Sequence, residues 1–89
     1  MNLASVYCSF LYCLDCDYRE GDANGIEETY AGTYATFDEC SEKCMEKKLN
    51  DPALNSVSFG FNGRAGECYC EKGATSVTAH SNFKACFFI

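Results

Sequence analysis

The chain has no tryptophan, one proline, one histidine and only seven lysines and arginines among its 89 residues. Set against thirteen aspartates and glutamates, those seven bases leave a net charge of -6. A balance this acidic lacks the basic footprint with which a nucleic-acid binder neutralises phosphates, and it disfavours docking on an anionic membrane. No apolar run approaches the roughly 18 residues of a membrane span, so membrane insertion is not expected. His80 is the only imidazole and has no nucleophile motif beside it, which leaves a Ser-His-Asp machinery without its parts. Pairs of carboxylates are abundant, but a cleft holding a sugar ring between two of them is hard to build in so short a chain. The protein is therefore expected not to be an enzyme and to need no cofactor.

What is present in excess is cysteine: Cys8, Cys13, Cys16, Cys40, Cys44, Cys68, Cys70 and Cys86. A single domain of this length buries only roughly 60–65% of its unfolded surface, and cross-links are the usual supplement to so small a core. An even count in a small acidic chain reads as a disulfide framework, and hence as a secreted, extracellular protein. Zinc is the competing reading, because Cys13-x-x-Cys16 and Cys40-x3-Cys44 could each supply half of a thiolate site. The tight Cys68-x-Cys70 spacing and the distance of His80 from any cysteine weigh against it. A redox Cys13-Leu-Asp-Cys16 pair is disfavoured too, since no βαβ pattern surrounds it. The apolar stretch Leu3–Leu14 lacks the basic start and the small-residue cleavage site of a signal peptide and is expected to belong to the folded chain.

Along the chain, Val6–Leu14 reads as a buried strand and the acidic, glycine-punctuated Asp15–Glu28 as a loop. A calcium site is the sharper alternative for that loop, because hard cations take carboxylate clusters, but Asp22, Asn24 and Gly25 do not fall at EF-hand spacing. Thr36-Phe37-Asp38-Glu39 is a capping box that opens a helix over about Phe37–Leu49, ending before Asn50-Asp51-Pro52. Asp38 and Glu39 sit at its positive end, Lys47 and Lys48 at its negative end. Val57, Phe59 and Phe61 alternate with small residues as a half-buried strand. Asn62–Gly66 is a hairpin loop, Glu67–Glu71 the returning strand, Lys72–Ser81 a loop with an extended piece near Val77, and Phe83–Ile89 a last strand.

Spacing gives the cysteines geometric content. Cys40 and Cys44, at i and i+4, share a helix face about 6 Å apart, and Cys68 and Cys70, at i and i+2, share a sheet face about 6.5–7 Å apart. Two disulfide rungs can therefore fasten the helix to the strand, in either of two pairings, with three pairings open to the other four cysteines. For the rungs the nested pairing, Cys40–Cys70 with Cys44–Cys68, is the expectation.

Thr36–Cys44, Val57–Asn62, Gly66–Cys70 and Lys84–Phe88, taken in order, resemble the PAN/apple family, in particular its short secreted forms. The resemblance covers roughly residues 16–89. It implies an α+β fold, one α-helix packed on a curved antiparallel β-sheet, with residues 16–89 as the core of a single domain and 1–15 as an N-terminal extension strand. It also implies a bridge between the first and last strands, Cys16–Cys86, which leaves Cys8–Cys13 as a clip on the extension. One departure is visible: family members carry a cysteine just before the Phe-x-Phe strand as partner of the second helix cysteine, whereas Asn55, Ser56, Val57 and Ser58 offer none. Cys70 is the candidate substitute.

The resemblance implies an interaction module for an extracellular protein or glycan. Tyr30, Tyr34, Asn62 and Arg64 are the candidate contact residues, since tyrosine stacks on sugars and supplies interface area at low entropic cost. A secreted effector acting on a protein target and a self-associating matrix component are the alternatives. The apolar N-terminal strand, if it lies at an open sheet edge, offers a route to a homodimer.

Overall fold

A computed structural model describes the backbone of residues 4–8 and 13–89, and the side chains from Asp15 onward. The described strands are β1 (Ala4–Cys8), β2 (Cys13–Glu20), β3 (Asp22–Ala23), β4 (Glu27–Thr33), β5 (Leu54–Gly60), β6 (Glu67–Lys72), β7 (Val77–Thr78) and β8 (Phe83–Phe88), with the single helix α1 (Phe37–Lys48) between β4 and β5. Six of the strands form one antiparallel sheet in the order β1-β2-β8-β5-β6-β4, and β3 pairs with β7 in a separate small ribbon. The fold is α+β and disulfide-bonded, one helix on an antiparallel sheet.

Alternation along the strands sorts the residues into layers. Val57, Phe59, Cys68, Cys70 and Cys86 point to the helix face and are buried there with Cys40 and Cys44. On the opposite face Ala85 packs with Ala23 of β3 and with Ala74, against Val77 and Phe87. Small residues are what let the β3–β7 ribbon approach the sheet so closely. The ribbon is tied down by polar pairs: the Ala23 N–H donates to Ser58 Oγ at 2.9 Å, and the Asn55 amide brackets Ala74, donating to its carbonyl at 2.7 Å and accepting from its N–H at 3.0 Å.

Helix α1 begins where the capping box places it. Thr36 Oγ1 accepts from the Glu39 N–H at 3.1 Å and donates to the Glu39 carboxylate at 3.0 Å. Cys40, Ser41 and Cys44 are its buried residues.

The cross-links correct the expected rungs. The bridges are Cys40–Cys68 and Cys44–Cys70, with Cα separations of 5.6 and 5.4 Å, not the nested Cys40–Cys70 and Cys44–Cys68. Chain direction decides it. The short connection between α1 and β5 turns β5 back along the helix, and β6 is antiparallel to β5. The helix and β6 therefore run the same way, so first meets first and second meets second. Cys16–Cys86 joins β2 to β8 with Cα atoms 5.3 Å apart. The backbone register sets Cys8 opposite Cys13, but the Cys8–Cys13 bridge lies outside the residues whose side chains are described.

Two further expectations change. The single strand Val6–Leu14 is replaced by the antiparallel pair β1 and β2. The acidic loop Asp15–Glu28 is largely extended, because β2 continues to Glu20 and β4 starts at Glu27. Its carboxylates occupy solvent-facing and rim positions of strands, which composition alone cannot separate from a loop.

Candidate functional site

The four candidate contact residues do not form one cavity. Asn62 and Arg64 lie in the 3-10 turn of the β5–β6 hairpin, Asn62 with a positive φ of 54°. The hairpin closes at Gly66, where φ is 82° and a Cβ would stand 2.8 Å from both Thr33 Cγ2 and the Tyr34 carbonyl oxygen. Asn62 donates to the Ser81 carbonyl at 3.3 Å. Arg64 grips Glu67, with Nε 3.0 Å from both carboxylate oxygens, and Tyr69 donates to Glu67 at 2.8 Å. The hydrogen bonds from Arg64 and then Tyr69 hold the Glu67 carboxyl below its ordinary range, while that with Glu67 holds the Tyr69 phenol above its own.

Tyr30 stands opposite Tyr69 on neighbouring strands, their rings 5.3 Å apart, and is 56% exposed. Tyr69 in turn meets Phe83 at 6.0 Å, with His80 5.0 Å beyond it and Arg64 over the same ring at 5.4 Å. Tyr30 and Arg64 thus belong to one aromatic and charged patch. Tyr34 does not: it packs against the helix-side core and donates to the Ala31 carbonyl at 3.1 Å. Much of the polar capacity of these four residues is spent within the fold.

A concave site lies elsewhere, at the end of the sheet beside the start of α1. A groove of about 310 Å³ is lined by Tyr18, Arg19, Glu20, Phe37, Phe61 and Lys84. Tyr18 and Glu20, two apart on β2, share a face, and Glu20 pairs across to Lys84 on β8. Phe37, the first residue of α1, stacks on Phe59 at 5.3 Å, while Phe61 meets both Phe59 at 5.2 Å and Phe37 at 6.3 Å edge-on. Tyr18 closes the cluster edge-on to Phe37 at 5.3 Å and donates to Asp38 at 3.2 Å. Lys84 Nζ stands 5.0 Å from the Phe61 ring centre and 3.9 Å from Glu20, whose side chain is 85% exposed.

Ring surfaces and charged hydrogen-bonding groups thus share one hollow, and the Lys84–Glu20 pair is long and well solvated, so separating it costs little. Arg19 turns its guanidinium away, to Asp17 at 2.9 Å and over the Phe87 ring at 4.5 Å. The groove was not read from the sequence because its residues come from β2, α1, the end of β5 and β8. Phe61 alternates with small residues as the buried face of a strand, and nothing local distinguishes a ring that fills the core from one that also walls a groove.

The three sulfurs of Cys40, Cys44 and Cys68 lie within 4.8 Å of one another. All are consumed in disulfides, which accounts for their proximity. Among the described residues no helix is long and apolar enough to cross a membrane. In comparisons with known proteins, no family model, no curated protein and no solved structure matches this chain.

Proposed function

We propose that the protein is a secreted recognition module of PAN/apple type that binds an extracellular carbohydrate in the groove of Tyr18, Phe37, Phe61, Glu20 and Lys84. The observation that carries this reading is the groove itself: about 310 Å³ of hollow with ring surfaces and an exposed, loosely paired carboxylate and ammonium. A sugar presents apolar C–H faces to aromatic rings and hydroxyls to charged donors and acceptors, and pockets of this kind combine apolar walls with a few polar groups. The disulfide framework supports the extracellular assignment. The single helix on an antiparallel sheet and the Cys16–Cys86 bridge support the PAN/apple reading.

A protein ligand is the second reading, and the patch around Tyr30 favours it. A tyrosine 56% exposed beside Tyr69 and the ordered Arg64–Glu67 pair is the composition of an interface anchor.

A glycan array probed with the whole chain, followed by solution titration of any hit, separates the two. Saturable binding that weakens about tenfold in Lys84→Ala and Glu20→Gln, but not in Tyr30→Ala, is the expected result. A silent array, with capture of a protein partner that Tyr30→Ala abolishes, moves the site to the other patch.

A further inference from the structure

Strand β6 buries a carboxylate. Glu71 is 1% exposed, the largest of the fully buried side chains, on the sheet face opposite the disulfide rungs. Among the described residues its Oε2 has no hydrogen-bond partner. Its Oε1 packs against Gly25, where a Cβ would fall 2.6 Å away, so only glycine leaves room for the carboxylate in this position. An unpaired carboxylate that deep is strongly disfavoured unless an opposite charge or a proton neutralises it.

The groups around it deepen the deficit. Carboxylate oxygens of Glu71, of Asp22 on β3 and of Glu28 on β4 lie within 4.8 Å of one another. The Gly25 backbone amide is the one group among Glu71's charge-shifting neighbours that favours the ionised form. Lys72, the adjacent base in sequence, is engaged elsewhere, with Asp51 at 2.7 Å and Glu27 at 3.2 Å. Burial first, then Glu28 and Asp22, push the Glu71 carboxyl up to about 8.

We infer that Asp22, Glu28 and Glu71 form a binding site for a calcium ion, with Glu71 as the buried inner ligand and Asp22 and Glu28 as the ligands from the rim. The ligand chemistry selects the ion. An all-oxygen, carboxylate-rich set suits a hard cation. Asp22 is half-buried and Glu28 exposed, so water completes the six to eight oxygens that calcium takes. Magnesium demands a tighter octahedron and dehydrates reluctantly, which disfavours it in a site whose inner ligand is shut away from solvent. One divalent ion against three carboxylates supplies the missing counter-charge. It would also join β3, β4 and β6, three strands from two sheets, through one centre.

The test uses the whole chain, freed of metal with a chelator, at pH 8.5. Calcium chloride is titrated calorimetrically and the thermal midpoint is followed in parallel, with sodium chloride at matched ionic strength as control. The expected result is one calcium per chain, with a Kd on the order of 10⁻⁴ to 10⁻³ M, the range of extracellular modules, and a midpoint that rises with calcium and not with sodium. Glu28→Gln, at an exposed position, should keep the fold and weaken calcium about tenfold or more. Glu71→Gln should abolish the calcium response. Absence of heat and of any midpoint change at millimolar calcium, or an equal rise with sodium, overturns the inference; the pocket then holds a proton shared by Glu71 and Glu28.

Discussion

The groove beside α1 and the acid pocket beneath Gly25 lie on opposite faces of one sheet, and both bring charges next to buried surface. In the groove the charges are of opposite sign, exposed and loosely paired, and they border aromatic rings. In the pocket they are of one sign, and the innermost is fully buried. The first arrangement is balanced in charge as it stands, and its solvated ion pair is cheap to separate. The second is incomplete without a proton or a cation. Adjacent residues of β6 show how this arises: Cys68 and Cys70 close the helix face covalently, while Tyr69 and Glu71, between and beyond them, take the other face and lead to the tyrosine patch and the acid pocket.

The covalent framework separates the two regions, and removing it has the largest expected effect. Replacing Cys16 and Cys86 together by alanine opens a loop spanning 70 residues and should cost about 4 kcal/mol in urea denaturation. Cys16 is two residues from Tyr18 and Cys86 two from Lys84, so this variant should also lose affinity at the groove while leaving the acid pocket's ion response in place.

The pocket comes next, through pH. With its carboxyl raised to about 8, Glu71 keeps a proton in the folded chain that the unfolded chain releases near its ordinary value of 4.5. Without metal, stability should be highest below pH 4.5 as far as this group is concerned, fall as pH rises from there to 8, and level off above. Glu71→Gln should remove that slope, seen as a denaturation midpoint flatter across the same window and several degrees higher at pH 8.5. Smaller is the loss of the helix cap, where Thr36→Ala should cost about 1 kcal/mol. Smallest is Arg64→Ala: the guanidinium itself is exposed and its carboxylate partner Glu67 only half-buried, so the thermal midpoint should move by little, whereas a protein ligand at the Tyr30 patch would register the change.

Part of this was legible in the sequence because it is local. The capping box fixes where α1 begins, and i, i+4 on a helix against i, i+2 on a strand brings Cys40, Cys44, Cys68 and Cys70 together. The rung pairing was also within reach: the short α1–β5 connection and the hairpin set the helix and β6 parallel, a fact of direction that spacing alone does not carry. The acidic stretch from Asp15 misled because charge marks exposure and not irregularity, and a strand at the rim of a sheet carries as many carboxylates as a loop. Neither the groove nor the acid pocket has a local signature. The groove is assembled from four elements, and the pocket depends on Glu71 facing Gly25 from 46 positions away in the chain, a juxtaposition made by the pairing of β4 with β6.

The groove of Tyr18, Phe37, Phe61, Glu20 and Lys84 is the proposed ligand site. Glycan-array binding of the whole chain, repeated with Lys84→Ala and Tyr30→Ala side by side, tests it most directly. The expected result is a defined set of glycans bound by the wild type and by Tyr30→Ala, and lost or sharply weakened in Lys84→Ala. Glycan binding that survives Lys84→Ala and disappears in Tyr30→Ala, or no glycan bound at all, would contradict it.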